Sequence, residues 1–112
     1  MNEIEKLYKN VGIEPIVRDN AIGRGYYIEH QRVEEYPPFT ADKQIELIKW
    51  LSKRRLLNVA FSNNKNTYQL FNNKCTGSFC SDLVTAIATL VQCELDFCTE
   101  EEKEQVKGIL NE

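Results

Sequence analysis

Four cysteines have the spacing most suggestive of chemistry in this chain. Cys75 and Cys80 are separated by four residues, as are Cys93 and Cys98. Two such thiolate pairs could supply the tetrahedral ligands of one structural zinc ion. A helix predicted between Cys80 and Cys93 opposes this, because about thirteen residues at ~1.5 Å each would hold the two ends roughly 20 Å apart. We therefore expect small buried thiols, with a zinc-stabilised or redox-responsive regulatory module as the alternative.

His30 is the only histidine, so any histidine-dependent catalytic dyad or triad must use it. Such catalysis needs a nucleophile and an orienting carboxylate beside the imidazole, but Glu29 points to the opposite face of the predicted strand. Gly23 and Gly25 lack the rest of a dinucleotide fingerprint, and no P-loop, zincin or nucleophile-elbow pattern occurs. We therefore expect no enzymatic activity and no cofactor.

The length and amino-acid composition predict a single globular domain. The chain has 112 residues, which favours a single domain covering 1–112. Hydrophobic residues make up 42% and charged residues 28%, as in typical folded domains. The net charge of −3 argues against direct binding to nucleic acid or anionic membranes, and no apolar run approaches the roughly 18 residues that a membrane span needs.

The beginning of the chain does not resemble a secretory signal. Met1–Lys6 alternates charged and apolar groups, whereas a signal peptide has a basic start and then an apolar block. A cytoplasmic location follows as the expectation, and with it reduced thiols.

The first half of the sequence predicts a helix, a strand and a second helix. Asn2–Lys9 carries apolar side chains at the i, i+3, i+4 spacing. Asn20–Gly25 is typical of a turn, and Tyr26–Val33 is typical of a strand. Thr40 is a good N-cap for a helix over Ala41–Lys53. The predicted buried arc of that helix consists of Ile45, Leu47, Ile48 and Leu51, with Trp50 at its edge.

The second half predicts a hairpin followed by two helices. Leu56–Ser62 and Thr67–Phe71 are joined by a loop of residues that accept turn geometry. Ser81–Val91 has one apolar face, and Thr99 with Glu102 forms a capping box for the last helix. The predicted class is α+β, with a small antiparallel sheet (one long strand plus a hairpin) and helices packed on one face.

Two charged runs have both a structural and a functional interpretation. The basic run consists of Lys49, Lys53, Arg54 and Arg55. These residues complement the negative end of the second helix, or they form a docking patch for phosphate or an acidic protein surface; the structural interpretation is favoured. Helix capping partly explains an acidic run that consists of Glu94, Asp96, Glu100, Glu101, Glu102 and Glu104. This run could equally be a solvated face or a mimic of nucleic-acid phosphates.

Tyrosines provide a further candidate binding surface. Tyr26, Tyr27, Tyr36 and Tyr68 lie on or beside predicted strands. A sheet covered by helices on one face leaves the other face open, where tyrosines suit protein binding; packing in the core is the alternative. The residues predicted to contact a protein partner are Tyr26, Tyr27, Tyr36, Tyr68, Lys53, Arg54, Arg55, Glu100 and Glu101.

Three segments resemble a group of small proteins encoded in prophages and mobile elements of Firmicutes. The resemblance lies in Tyr36–Leu51, in a short acidic-basic opening helix like Asn2–Asn10, and in a closing segment like Thr99–Leu110. These motifs are a cap, an amphipathic helix and a capping box, so no functional residues carry over.

The resemblance implies stoichiometric binding to host machinery. We expect a phage- or prophage-derived, non-enzymatic binding protein that inhibits a host defence system in the manner of anti-CRISPR proteins. Its partner would be a host protein or nucleoprotein complex in the cytoplasm of the host cell. Homodimerisation through the hairpin edge or the tyrosine face stays open.

Overall fold

The computed structural model describes residues 2–22 and 29–112, with side chains described outside 19–32. The elements follow one another in the order α1 (Glu3–Asn10), β1 (Ile16–Ile22), β2 (Glu29–Glu35), α2 (Ala41–Arg54), β3 (Asn58–Ser62), β4 (Thr67–Phe71), α3 (Leu83–Leu95) and α4 (Glu100–Leu110). The predicted α+β class is confirmed. Within the described ranges, no helix has both the length and the apolar character to cross a membrane.

Side-chain caps fix where the four described helices begin, and at α2 the Thr40 hydroxyl accepts a hydrogen bond from the Lys43 N–H at 3.2 Å. The Asn2 carboxamide oxygen accepts a hydrogen bond from the Glu5 N–H at 2.9 Å, and the Asp82 carboxylate accepts one from the Thr85 N–H at 2.7 Å. The predicted capping box at Thr99 is present. Because Asp82 is the cap, α3 starts two residues after the predicted Ser81 and extends through Cys93 to Leu95.

The strands of the described residues form two separate two-stranded antiparallel sheets, so the predicted detail of one long strand plus a hairpin in a single sheet is not quite matched. β2 contains part of the predicted Tyr26–Val33 strand, but it pairs with β1 and not with the β3–β4 hairpin. The sequence of β1 interrupts its apolar residues with Arg18, Asp19 and Asn20, which hides the two-residue alternation of a strand. Residues 23–25 of the predicted turn lie outside the described residues.

A short segment after β4 runs antiparallel beside it. Tyr68 and Cys80 exchange two backbone hydrogen bonds of 2.7 Å, and the Gly77 N–H donates to the Leu70 carbonyl at 3.0 Å. A Cβ atom on Gly77 would lie 2.8 Å from that carbonyl oxygen. Glycine is therefore required there, because the two backbones approach too closely for any side chain.

Helix α3 lies at the centre of the core. It contacts α1, α2 and β4. The buried residues along it are Ala86, Ile87, Ala88, Leu90, Val91, Glu94 and Leu95. All but one of these are apolar, so the central helix is predominantly apolar on the sides that its neighbours cover.

The buried face of α2 differs from the predicted arc. Leu47 and Leu51 are buried as predicted, but Trp50 is buried too and Ile45 is half exposed. The face is rotated because α2 packs against both α3 and α4. Lys43 also lies on this face, and its Nζ donates to the Leu110 carbonyl at 3.0 Å, which ties α2 to the end of α4.

Candidate functional site

The predicted partner-binding residues do not gather on one surface. Lys53, Arg54 and Arg55 line one shallow groove beside α4, whereas Tyr36 lines a different groove. Tyr68 is half-buried on β4. Glu100 and Glu101 are exposed in the first turn of α4, and Tyr26 and Tyr27 lie outside the described residues.

Glu94 is fully buried and holds the main charged cluster of the protein interior. Its two carboxylate oxygens accept hydrogen bonds from Arg54 Nε and Arg55 Nε, both at 2.9 Å. The Asn72 side-chain amide also donates to it at 2.9 Å. Glu94 points from α3 into the protein and is therefore not part of a solvated face, whereas Glu100 and Glu101 of the same acidic run are exposed.

The two arginines of this cluster are engaged within the protein. Arg54 also pairs with Glu102 of α4, and its guanidinium lies 5.1 Å from the Trp50 ring centroid. Arg54 and Arg55 are 12% and 28% exposed. Consecutive residues at the end of α2 thereby connect that helix to α3 and α4, which favours the structural interpretation of the basic run.

The environment of Glu94 keeps its carboxyl ionised. Burial alone would raise its pKa, but hydrogen bonds from Arg54, Asn72 and Arg55 outweigh burial and hold the pKa below its usual value. A buried carboxylate is stable when opposite charges and donors satisfy its oxygens. The cluster is therefore a satisfied ion network and offers no proton for acid–base chemistry near neutral pH.

The cysteines are arranged differently from the two sequence pairs. Burial, and after it the neighbouring Cys93 thiol, raises the pKa of Cys75 to about 12. Cys80 instead approaches Thr89, with 3.8 Å between sulfur and oxygen. Among the described residues, no group of three or more histidine, cysteine or acidic side chains is placed to hold a metal ion.

A groove of about 540 Å³ lies between α1 and the segment after β2. We call it the Tyr36 groove. It has apolar walls with carboxylates around them. Its lining consists of Asn2, Ile4, Glu5, Glu34, Glu35, Tyr36, Pro37, Pro38, Phe39 and Val84. A second groove of about 360 Å³ meets it at Glu34 and Tyr36, and Lys9 and Glu14 line that groove. A mixed apolar and polar lining of this kind is typical of binding sites.

Tyr36 is positioned by aromatic packing. Its ring stacks on Tyr8 with 5.2 Å between centroids. The Tyr8 hydroxyl donates to the Pro37 carbonyl at 2.5 Å, and Phe39 packs against the Tyr8 ring at 5.5 Å. These contacts hold Tyr36 at the point where the two grooves meet.

The hydroxyl of Tyr36 is enclosed and, within the described part of the chain, has no hydrogen-bond partner. Burial raises the pKa of Tyr36, and the carboxylates of Glu34, Glu14 and Glu5 raise it further. Three negative groups thus lie near enough to act electrostatically on a polar atom that is able to accept or donate one more hydrogen bond. None of the three has an ion-pair partner among the described side chains.

Tyr36 was predictable as a binding residue from the sequence, whereas the carboxylates near it were not. Glu5, Glu14 and Glu34 come from α1, from the loop before β1 and from β2, so only the fold brings them together. His30 pairs with Ala21 in the β1–β2 register, and the structure does not describe its side chain.

No protein-family model matches the chain, and no curated protein or solved structure is significantly similar to it.

Proposed function

We propose that this chain is a small, non-catalytic binding protein that engages an arginine-bearing segment of another protein in the Tyr36 groove. The observation that carries the proposal is the Tyr36 hydroxyl, which has no hydrogen-bond partner among the described residues and is influenced by the nearby carboxylates of Glu5, Glu14 and Glu34. An arginine side chain matches this set, because its planar guanidinium donates several hydrogen bonds at once to carboxylates and hydroxyls.

The apolar walls of the groove indicate which residues lie next to the arginine in the partner segment. Ile4, Pro37, Pro38, Phe39 and Val84 supply apolar surface beside the carboxylates. Apolar contacts at the centre of an interface and charges at its rim are the usual division in protein recognition. The partner segment therefore carries aliphatic residues next to its arginines, and the net charge of −3 accelerates its approach.

Substitution of the groove carboxylates should weaken binding of a basic apolar peptide. The probe is a short fluorescein-labelled peptide in which arginine and leucine alternate, and fluorescence anisotropy gives its dissociation constant. Glu5→Gln with Glu34→Gln should raise that constant about tenfold or more, because each lost charge-assisted hydrogen bond is worth roughly 1.5–3 kcal/mol. The matched control is Glu100→Gln with Glu101→Gln, which removes the same charge from exposed positions on α4.

The control should change the dissociation constant less than twofold. Equal weakening by the two double variants would mean that only net charge matters, and it would overturn the groove as the site.

Tyr36→Phe tests the role of the Tyr36 hydroxyl in peptide binding. It removes no hydrogen bond to the described residues of the free protein, so it should weaken peptide binding without lowering thermal stability.

The resemblance to prophage-encoded proteins extends the proposal to a biological role. We propose that the partner is a basic component of a host defence complex, which the chain inhibits by occupying its surface. Expression of the wild-type chain in a Firmicute strain with an active CRISPR system should raise the plaquing efficiency of a targeted phage. The Glu5→Gln, Glu34→Gln variant should not raise it, whereas the Glu100→Gln, Glu101→Gln control should act like wild type. Unchanged plaquing with the wild-type chain would count against an anti-CRISPR role.

A further inference from the structure

Two apolar side chains of β3 lie exposed on the face that the rest of the fold uses as core. Val59 is 60% and Phe61 49% exposed. In the β3–β4 register they lie opposite Leu70 and Tyr68, and directly opposed residues of antiparallel strands share a face. Leu70 is only 1% exposed, because α3 packs on β4. The apolar face of the sheet therefore continues past the helix onto β3 without cover from the described residues.

The backbone N–H and C=O groups of Val59 and Phe61 point toward the free edge of β3. Tyr68 and Leu70 direct their backbone hydrogen bonds away from β3, to Cys80 and Gly77. Hydrogen-bonded and non-hydrogen-bonded pairs alternate along an antiparallel ladder. Phe61 and Val59, which face them, must therefore turn their own N–H and C=O groups outward, and no described strand pairs with that edge.

This edge lacks the usual protection against pairing. Exposed edge strands commonly carry lysine, proline or inward-pointing charges. The stretch from Leu56 to Asn64 contains no charged residue, no proline and no glycine. An identical edge can approach it without bringing like charges together or burying an unpaired charge.

We propose that a second copy of this chain pairs antiparallel with β3 about a two-fold axis at Ala60. In this register Val59 lies opposite Phe61 of the second copy, and both residues present outward-pointing backbone groups, so the pair exchanges its hydrogen bonds. The two apolar faces then join into one, and the exposed Val59 and Phe61 side chains of both copies cover one another between the two α3 helices. The partner is a second copy because the edge is neutral and self-complementary in this register.

Cysteine cross-linking tests the register directly. Ala60 faces its own counterpart across the axis in a non-hydrogen-bonded pair, where Cα atoms lie about 4.5 Å apart, within the range that a disulfide requires. Ala60→Cys should give a covalent dimer on oxidation with copper phenanthroline, with the 60–60 linkage identified by peptide mass spectrometry. Asn58→Cys is the matched control, because Asn58 would face Ser62 of the second copy and not itself. Equal cross-linking of both variants, or of neither, would overturn the proposed pairing.

Sedimentation equilibrium measures the association without added thiols. Val59→Lys places like charges at the paired edge and should raise the dimer dissociation constant at least tenfold. Leu56→Lys makes the same chemical change at a residue that is 83% exposed and lies outside β3, so it should leave the constant within twofold. A wild-type chain that stays monomeric at every concentration, or equal effects of the two lysines, would refute the dimer. Neither result bears on peptide binding in the Tyr36 groove, which uses other residues.

Discussion

Glu94→Gln should lower the free energy of unfolding by about 3 kcal/mol, the lower end of the cost of removing one partner from a buried ion pair. The variant leaves Arg54 and Arg55 facing a neutral amide in a largely enclosed site. The cost stays at the lower end because Arg54 keeps its contact with Glu102. Urea denaturation followed by circular dichroism measures the change, and the denaturant slope should stay constant.

Glu46→Gln is the control for this substitution. Glu46 pairs with Lys49 on the exposed side of α2, and such surface pairs contribute about 0–1 kcal/mol. The control should therefore change stability by less than about 1 kcal/mol. If Glu94→Gln were no more costly than this control, the carboxylate would not hold the helices together.

The free energy of unfolding should depend on pH through the ionisation of the Glu94 carboxyl. Because its pKa is lowered in the folded state, ionised Glu94 stabilises the fold above its unfolded-state pKa of about 4.3, and this contribution is lost as the pH falls through the folded-state pKa. The stability gap between wild type and Glu94→Gln should therefore shrink below about pH 4.

Leu47→Ala should lower the free energy of unfolding by about 3 kcal/mol, because truncating a fully buried leucine removes apolar contacts and leaves a cavity. Leu47 is 0% exposed, whereas Ile45 on the same helix is 50% exposed. Ile45→Ala should therefore cost about 1 kcal/mol or less. Thermal and urea unfolding of the two variants provide the comparison.

This pair of variants also decides which face of α2 is buried. The sequence predicts that Ile45 and Leu47 lie on one buried arc, whereas the fold buries Leu47 and leaves Ile45 half exposed. Equal losses of stability in Ile45→Ala and Leu47→Ala would support the sequence-based arc and contradict the packing of α2 described above.

The helices were predictable because their ends and apolar faces are encoded locally. Thr40 and Thr99 each place a side-chain oxygen beside the first free N–H groups of a helix, and such caps are recognisable from a few residues. The β3–β4 hairpin was predictable for a similar reason, since a turn-forming loop separates two apolar runs.

Features that depend on distant residues were not predictable in this way. β1 was missed because its polar centre conceals the strand periodicity. Glu94 lies near the end of a helix that is otherwise mostly apolar. Its burial is explained only by hydrogen bonds from Arg54, Arg55 and Asn72, which belong to other parts of the chain. The carboxylates of the Tyr36 groove are likewise far apart in the sequence, and no local sequence pattern indicates that they lie close together in the fold.

The central position of α3 has a consequence for how the protein loses its structure. α1, α2 and β4 each cover part of this helix, and α1 reaches it from the other end of the sequence. Detaching any one of these elements would expose apolar surface of α3 to water, and this cost opposes the gain in chain entropy. Partly unfolded forms are therefore disfavoured, and the helices together with β3 and β4 should unfold as one cooperative unit.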